Sequence, residues 1–157
     1  MTTPALEELK VRARIARNAA VRGGDESAPR LADCLHETAR QVGFQHWEHA
    51  RRVLGGLAQA GEDMGSFWHS PRCDALLNHW FADLTRARLA QAEVQGFLLP
   101  YRRQFVVARE PFIRELGLDP ADAQWQAAGR DLVDAYGSAA WMTLCLARLK
   151  APGASFG

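Results

Sequence analysis

Apolar residues recur at three- and four-residue intervals over most of the chain, the period of a helix with one buried face. Leu6, Leu9, Ala13, Ala16 and Ala20 share such a face. Thr3 can cap this helix, Pro4 suits its first position, and Glu7 and Glu8 suit its first turn. Lys10, Arg14 and Arg17 line up beside the apolar face, and Gly23-Gly24 ends the segment. A second helix is expected from near Ser27, with Leu31, Cys34, Leu35, Thr38 and Val42 along one arc and a stop at Gly43. A third follows, with Trp47, Ala50, Val53, Leu54 and Leu57 inward.

Gly55, Gly56, Gly61 and Gly65 then interrupt the pattern and mark a boundary between a three-helix unit, residues 1–58, and a second unit, residues 66–151. Ser70-Pro71 opens what reads as the longest helix, to about Ala92. Its apolar face holds Cys73, Leu76, Leu77, Trp80, Phe81, Leu84 and Ala87, and its polar ridge holds Arg72, His79, Asp83 and Arg86. Residues 97–108 are rich in β-branched and aromatic side chains, and Pro100 makes the segment an edge strand or loop. A short helix over 111–116 stops at Gly117. Another starts at Asp119-Pro120 with Ala121, Trp125, Ala128 and Leu132 on one face. Ser138 caps the last, whose apolar side holds Trp141, Met142, Cys145, Leu146 and Leu149, and residues 152–157 read as a frayed end. The expected fold is mainly α: an N-terminal three-helix unit, then a helical subdomain with one short β-strand or hairpin.

The 157 residues are 48% hydrophobic and 24% charged, which excludes a disordered or fibrous chain. Nineteen basic and 18 acidic residues give a net charge of +1, without the basic excess of a protein held mainly by phosphates. Three scattered cysteines imply neither a disulfide framework nor a thiolate zinc site. No apolar run is long enough to span a membrane and the first residues lack a signal pattern, so the expectation is a cytoplasmic protein away from membranes.

Several residues carry candidate chemistry. Ala39, Gly43 and Phe44 have the spacing of a helix-turn-helix, and Arg14, Arg17, Arg51 and Arg52 could contact phosphates as a weak nucleic-acid interface. The alternative is a plain three-helix packing unit, since Trp47, Ala50 and Val53 point inward where a recognition helix needs a different register. His69 lies four residues before Cys73, which a helix N-terminus would favour as thiolate; a buried, inert thiol explains the same apolar arc. His79 and Asp83, one helical turn apart, suit a base with its orienting carboxylate or a solvated pair. Arg102 and Arg103 follow Tyr101 in the extended segment and would point to opposite faces, so that at most one serves a given anion pocket. Together His69, Arg72, His79, Tyr101, Arg102 and Arg103 outline a ligand-binding cleft. Trp68 falls outside any apolar arc, whereas the other four tryptophans sit on inward arcs. No cofactor or metal site is indicated.

The stretch Ala39-x-x-x-Gly43-Phe44-x-x-Trp47, preceded by Leu9-Lys10 and Leu35, resembles a small helical domain of bacterial proteins labelled glyoxalase-related, over residues of about 5–57. His46 stands where that domain often has Asp or Asn. Glyoxalase chemistry needs paired βαβββ modules that this sequence does not provide. The resemblance therefore implies a bacterial accessory protein. The leading functional reading is a non-catalytic binding or interaction module with a protein partner or a second copy of itself. A nucleic-acid binder through the first three helices and a small enzyme or anion-binding protein at the cleft are the alternatives.

Overall fold

The computed structural model describes residues 2–24 and 26–157. Helix α1 (Pro4–Arg22) begins where the sequence predicts, with the Thr3 hydroxyl accepting from the Leu6 N–H and also donating to the Leu54 carbonyl at 2.8 Å. It buries Ala5, Leu6, Leu9 and Ala13, but Ala16 is exposed and Ala20 only half-buried, so its second half stands clear of the core. Helix α2 (Leu31–Gln41) starts later than Ser27 because Pro29 disfavours helical backbone at the residue before it. Helix α3 (Trp47–Leu54) ends at Gly55, which leaves Leu57 exposed rather than inward.

Gly43 makes the turn between α2 and α3 at φ +99°, and a Cβ there would meet the backbone of Ser66 and Phe67 at 2.8 Å. Only glycine lets the two segments touch. The Gly43 carbonyl uses that closeness to accept from the Ser66 N–H at 2.9 Å.

The long helix expected over 70–92 does not form. Ser70 does cap a helical segment, but a short 3-10 turn over Pro71–Ala75; strand β1 (His79–Phe81) and helix α4 (Leu84–Val94) then follow. His-Trp-Phe favours extended backbone, and Asp83 starts a new helix by accepting from the Arg86 N–H at 3.1 Å. The supposed apolar face dissolves: Leu77 is 93% exposed and Trp80 is 40% exposed. His79 and Asp83 are strand residue and helix cap, not a pair one turn apart.

Residues 97–108 form a hairpin of β2 (Phe97–Tyr101) and β3 (Gln104–Ala108), and β1 joins it to give an antiparallel sheet in the order β1-β3-β2. Tyr101 pairs with Gln104, so Arg102 and Arg103 are the turn and do not project from opposite faces of a strand. Trp80 opposes Val106, and Leu99 opposes Val106 from the other side. This face joins the main core; the opposite face, with Leu98 and Val107, is covered by Ala87 of α4.

Helices α5 (Glu110–Glu115), α6 (Ala123–Ala127) and α7 (Ala139–Lys150) complete a mainly α fold with a short β element. Asp122 and Ser138 cap α6 and α7, and α6 is shorter than its apolar arc suggests. One buried cluster unites Leu6, Leu9, Val53 and Leu54 with Phe67, Phe112, Trp125, Trp141 and Leu144, and so draws on residues from both sides of the glycine-rich stretch. Trp80, expected inward, is partly exposed, and Trp68, which falls on no apolar arc, is buried. Among the described residues no helix is long and apolar enough to cross a membrane.

Candidate functional site

Helix α7 carries a guanidinium into the core. Arg148 lies three residues after Cys145 and four after Leu144, on the buried side, and none of its surface is exposed. Its nitrogens donate to the carbonyls of Phe67 at 3.2 Å, Leu116 at 3.0 Å, His69 at 3.1 Å and Ser155 at 2.5 Å. Burial pushes its pKa down to about 10, which leaves the charge in place at neutral pH. Among the described residues no carboxylate pairs with it. The sequence signal was an arginine inside an apolar arc, and apolar periodicity alone passes over it.

The segment after α7, expected to fray, packs against this cation. The Phe156 ring lies 3.9 Å from the Arg148 guanidinium carbon and 5.5 Å from the Phe67 ring. Ser155 hydrogen-bonds Ser70, hydroxyl to hydroxyl, at 2.5 Å, and a main-chain oxygen of Gly157 sits on the His69 Nδ1. The His69 Nε2 is 3.2 Å from the Asp74 carboxylate, so both ring nitrogens face oxygen. Residues 154–157 thus form a strap across a pocket made by Phe67, His69, Ser70 and Arg148.

The cleft outlined from sequence is only partly assembled. His69 and Tyr101 meet with ring centroids 5.2 Å apart, and Trp80 joins them at 6.0 Å from His69 and 5.0 Å from Tyr101. His79 is next to Trp80 in β1 and projects to the opposite face of the sheet, away from His69. Arg72 is exposed on the 3-10 turn. Arg102, at φ +52°, has its guanidinium 5.4 Å from the Tyr101 ring, and its carbonyl and N–H bond Met64 and Gly65. Arg103 donates to the Gly61 carbonyl at 2.6 Å and lines a separate cavity of about 180 Å³ with Met64, Leu84, Pro100, Phe105 and Tyr136.

Cys73 is fully buried, its thiol 4.0 Å from the Phe112 carbonyl, and burial pushes its pKa up. The activating helix N-terminus is absent because the residue sits in the 3-10 turn, so the inert-thiol reading describes it and the thiolate reading does not.

The α2–α3 turn contains a histidine cluster that the sequence reading missed. His36 Nδ1 accepts from the Trp47 N–H, His46 Nδ1 from the His49 N–H and His49 Nδ1 from the Gln45 N–H, at 3.0–3.1 Å. With its Nδ1 an acceptor, His49 carries its proton on Nε2 and donates to the Asp63 carbonyl at 2.7 Å. A histidine just before a helix and another three residues on were the available signal. On the adjoining helices Arg51 binds Glu48 at 2.6 Å and Arg52 binds Glu62 at 2.7 Å; these bonds lower both carboxyl pKa values. Arg14 and Arg17 are exposed on α1, in its second half.

Among the described residues no three His, Cys, Asp or Glu side chains are placed to hold a metal ion. Comparison with protein-family models, with curated proteins and with solved structures finds no match to this chain.

Proposed function

We propose that this protein is a non-catalytic interaction module that self-associates through the edge of its sheet at β1. The observation that carries this reading is an edge strand that pairs with β3 alone among the described residues, with Trp80 40% exposed on it and Leu77, 93% exposed, just before it. An unpaired edge is a template for another strand, and an apolar side chain so fully exposed marks a contact surface. A net charge of +1 sets up little repulsion between copies. Antiparallel pairing of β1 with its copy about Trp80 places Asp83 opposite Leu77 of the second copy, which keeps the carboxylates apart and makes the contact self-complementary.

The reactive side chains favour binding over catalysis. The three cysteines are buried, and the imidazoles of His36, His46 and His49 hold backbone N–H groups. A nucleic-acid role draws less support, since Arg51 and Arg52 are engaged by carboxylates. The proposed setting is the cytoplasm, with the thiols reduced. The likeness to the glyoxalase-related helical domain belongs to the same reading: His46, at the position often Asp or Asn, caps α3 here as those residues would.

Sedimentation velocity across the micromolar range tests the proposal. The expected result is a concentration-dependent dimer that Leu77→Asp converts to monomer without lowering the melting temperature. A wild-type chain that stays monomeric throughout, or an L77D dimer as stable as the wild type, overturns it.

A further inference from the structure

The strap of residues 154–157 occupies a pocket whose chemistry is better suited to an anion than to the strap itself. Arg148 is a full positive charge with no surface exposed, and every acceptor it meets among the described residues is a neutral carbonyl. Three of those carbonyls, from Phe67, Leu116 and His69, belong to the body of the protein. The fourth belongs to the strap. Phe156 fills a slot between the guanidinium and the Phe67 ring; the Ser155 carbonyl flanks it on Arg148, and a main-chain oxygen of Gly157 flanks it on His69.

The strap therefore displays an aromatic ring with oxygen acceptors beside it, directed at a guanidinium and an imidazole. A carboxylate in place of the Ser155 carbonyl would make charge-assisted bonds to Arg148, roughly twice as strong as neutral ones. It would also give the buried cation a counter-ion. We infer that the pocket under residues 154–157 is a binding site for a small aromatic carboxylate, its ring in the Phe156 slot and its carboxylate on Arg148 and His69, with the strap as a competing, self-supplied occupant. Apparent affinity is reduced by the fraction of chains in which the strap is seated. This inference is independent of association through β1, because Leu77 takes no part in it.

Calorimetric titration of the full chain with 3-phenylpropionate, and with its neutral amide as control, tests the site. Phe156→Ala empties the ring slot and leaves Arg148 and His69 in place. It is expected to bind the acid about tenfold tighter than the wild type and to discriminate acid from amide by a similar factor. Adding His69→Gln to that variant should weaken binding of the acid more than of the amide. Should F156A fold poorly, Ser155→Ala, which removes the hydroxyl bond between strap and Ser70 and leaves the Ser70 cap of the 3-10 turn in place, takes its place with the same expected direction. Equal affinity for acid and amide overturns the anion assignment. Binding of the acid by neither variant, in chains whose melting temperature shows them folded, overturns the site and leaves the strap as packing alone.

Discussion

At the α2–α3 turn, three imidazoles accept backbone N–H groups no more than eleven residues away, and one of them also reaches Asp63. Around Arg148, one guanidinium reaches carbonyls 79 and 81 residues back in the chain, another 32 residues back and a fourth in the strap ahead of it. Both regions satisfy backbone groups with side chains, but they stabilise different things. The imidazoles order a turn whose helices already pack through Ala39, Val42, Ala50 and Val53. The guanidinium holds three segments outside regular secondary structure, at residues 67–69, 116 and 155, against helix α7. Losing a local acceptor leaves an N–H that water can reach, whereas losing the remote donor leaves several buried carbonyls without a partner.

The largest effect is accordingly expected at Arg148. Arg148→Met keeps the apolar stem but removes every donor, and each buried polar group left unsatisfied costs about 1–3 kcal/mol. Denaturant unfolding should show a loss on the order of 4 kcal/mol, with little recovery in Arg148→Lys, whose single ammonium lacks the planar fork. A loss under about 1 kcal/mol would mean the carbonyls find water, and the contrast with the α2–α3 turn would collapse.

Tyr136 lies between the two extremes. Its hydroxyl donates to the Val53 carbonyl at 2.6 Å and accepts from the Ala58 N–H at 3.0 Å, which ties α3 to the segment before α7. Tyr136→Phe should cost about 1–2 kcal/mol at neutral pH. Burial holds the phenol neutral and pushes its pKa up to about 12 from an ordinary 10.0. A raised pKa in the folded state means that the contribution is complete below about pH 10 and disappears as pH rises through about 12. Arg148 acts with the opposite sign from about pH 10 upward, since its pKa is depressed, but does so in both proteins. The wild-type minus Y136F stability difference should therefore shrink between about pH 10 and 12. A constant difference across that window would show that the phenol is not held neutral by the fold.

The same division explains what the sequence made legible. The caps at Thr3 and Ser138, the stop at Gly23, the inward Leu6, Leu9 and Ala13 of α1 and the inward Ala50, Val53 and Leu54 of α3 rest on residues within two turns of one another, and they could be read directly. Residues 70–92 misled because Cys73, Leu77, Trp80 and Leu84 keep helical spacing by coincidence, while the partner that draws residues 79–81 into a strand is β3, some 25 residues further on. The turn at Arg102-Arg103 was hidden because neither residue is a usual choice for it, and bonds from Met64 and Gly65 hold it there. Of the candidate cleft, His69 and Tyr101 lie against each other, but Arg148 and Phe156, which give that region its chemistry, carry no mark beyond one charge on an apolar arc.

The smallest effect is expected at the local end. His46 is exposed, and its Nδ1 replaces the oxygen of an ordinary cap for a helix of eight residues. His46→Ala removes one acceptor from an N–H at a solvent-facing helix start, so the loss should be about 0.5–1 kcal/mol. His46→Asp supplies a better acceptor and places a negative charge at the helix N-terminus, which should restore or exceed wild-type stability. The imidazole of His46 also sits 6.4 Å from that of His36 and 6.1 Å from that of His49, so the alanine variant tests whether the three rings act singly. If H46A loses no more than a cap is worth, each ring serves its own N–H and the turn is a sum of local bonds. A loss approaching that of R148M would mean that the rings support one another and that the α2–α3 turn, despite its short-range bonds, is held as cooperatively as the pocket around Arg148.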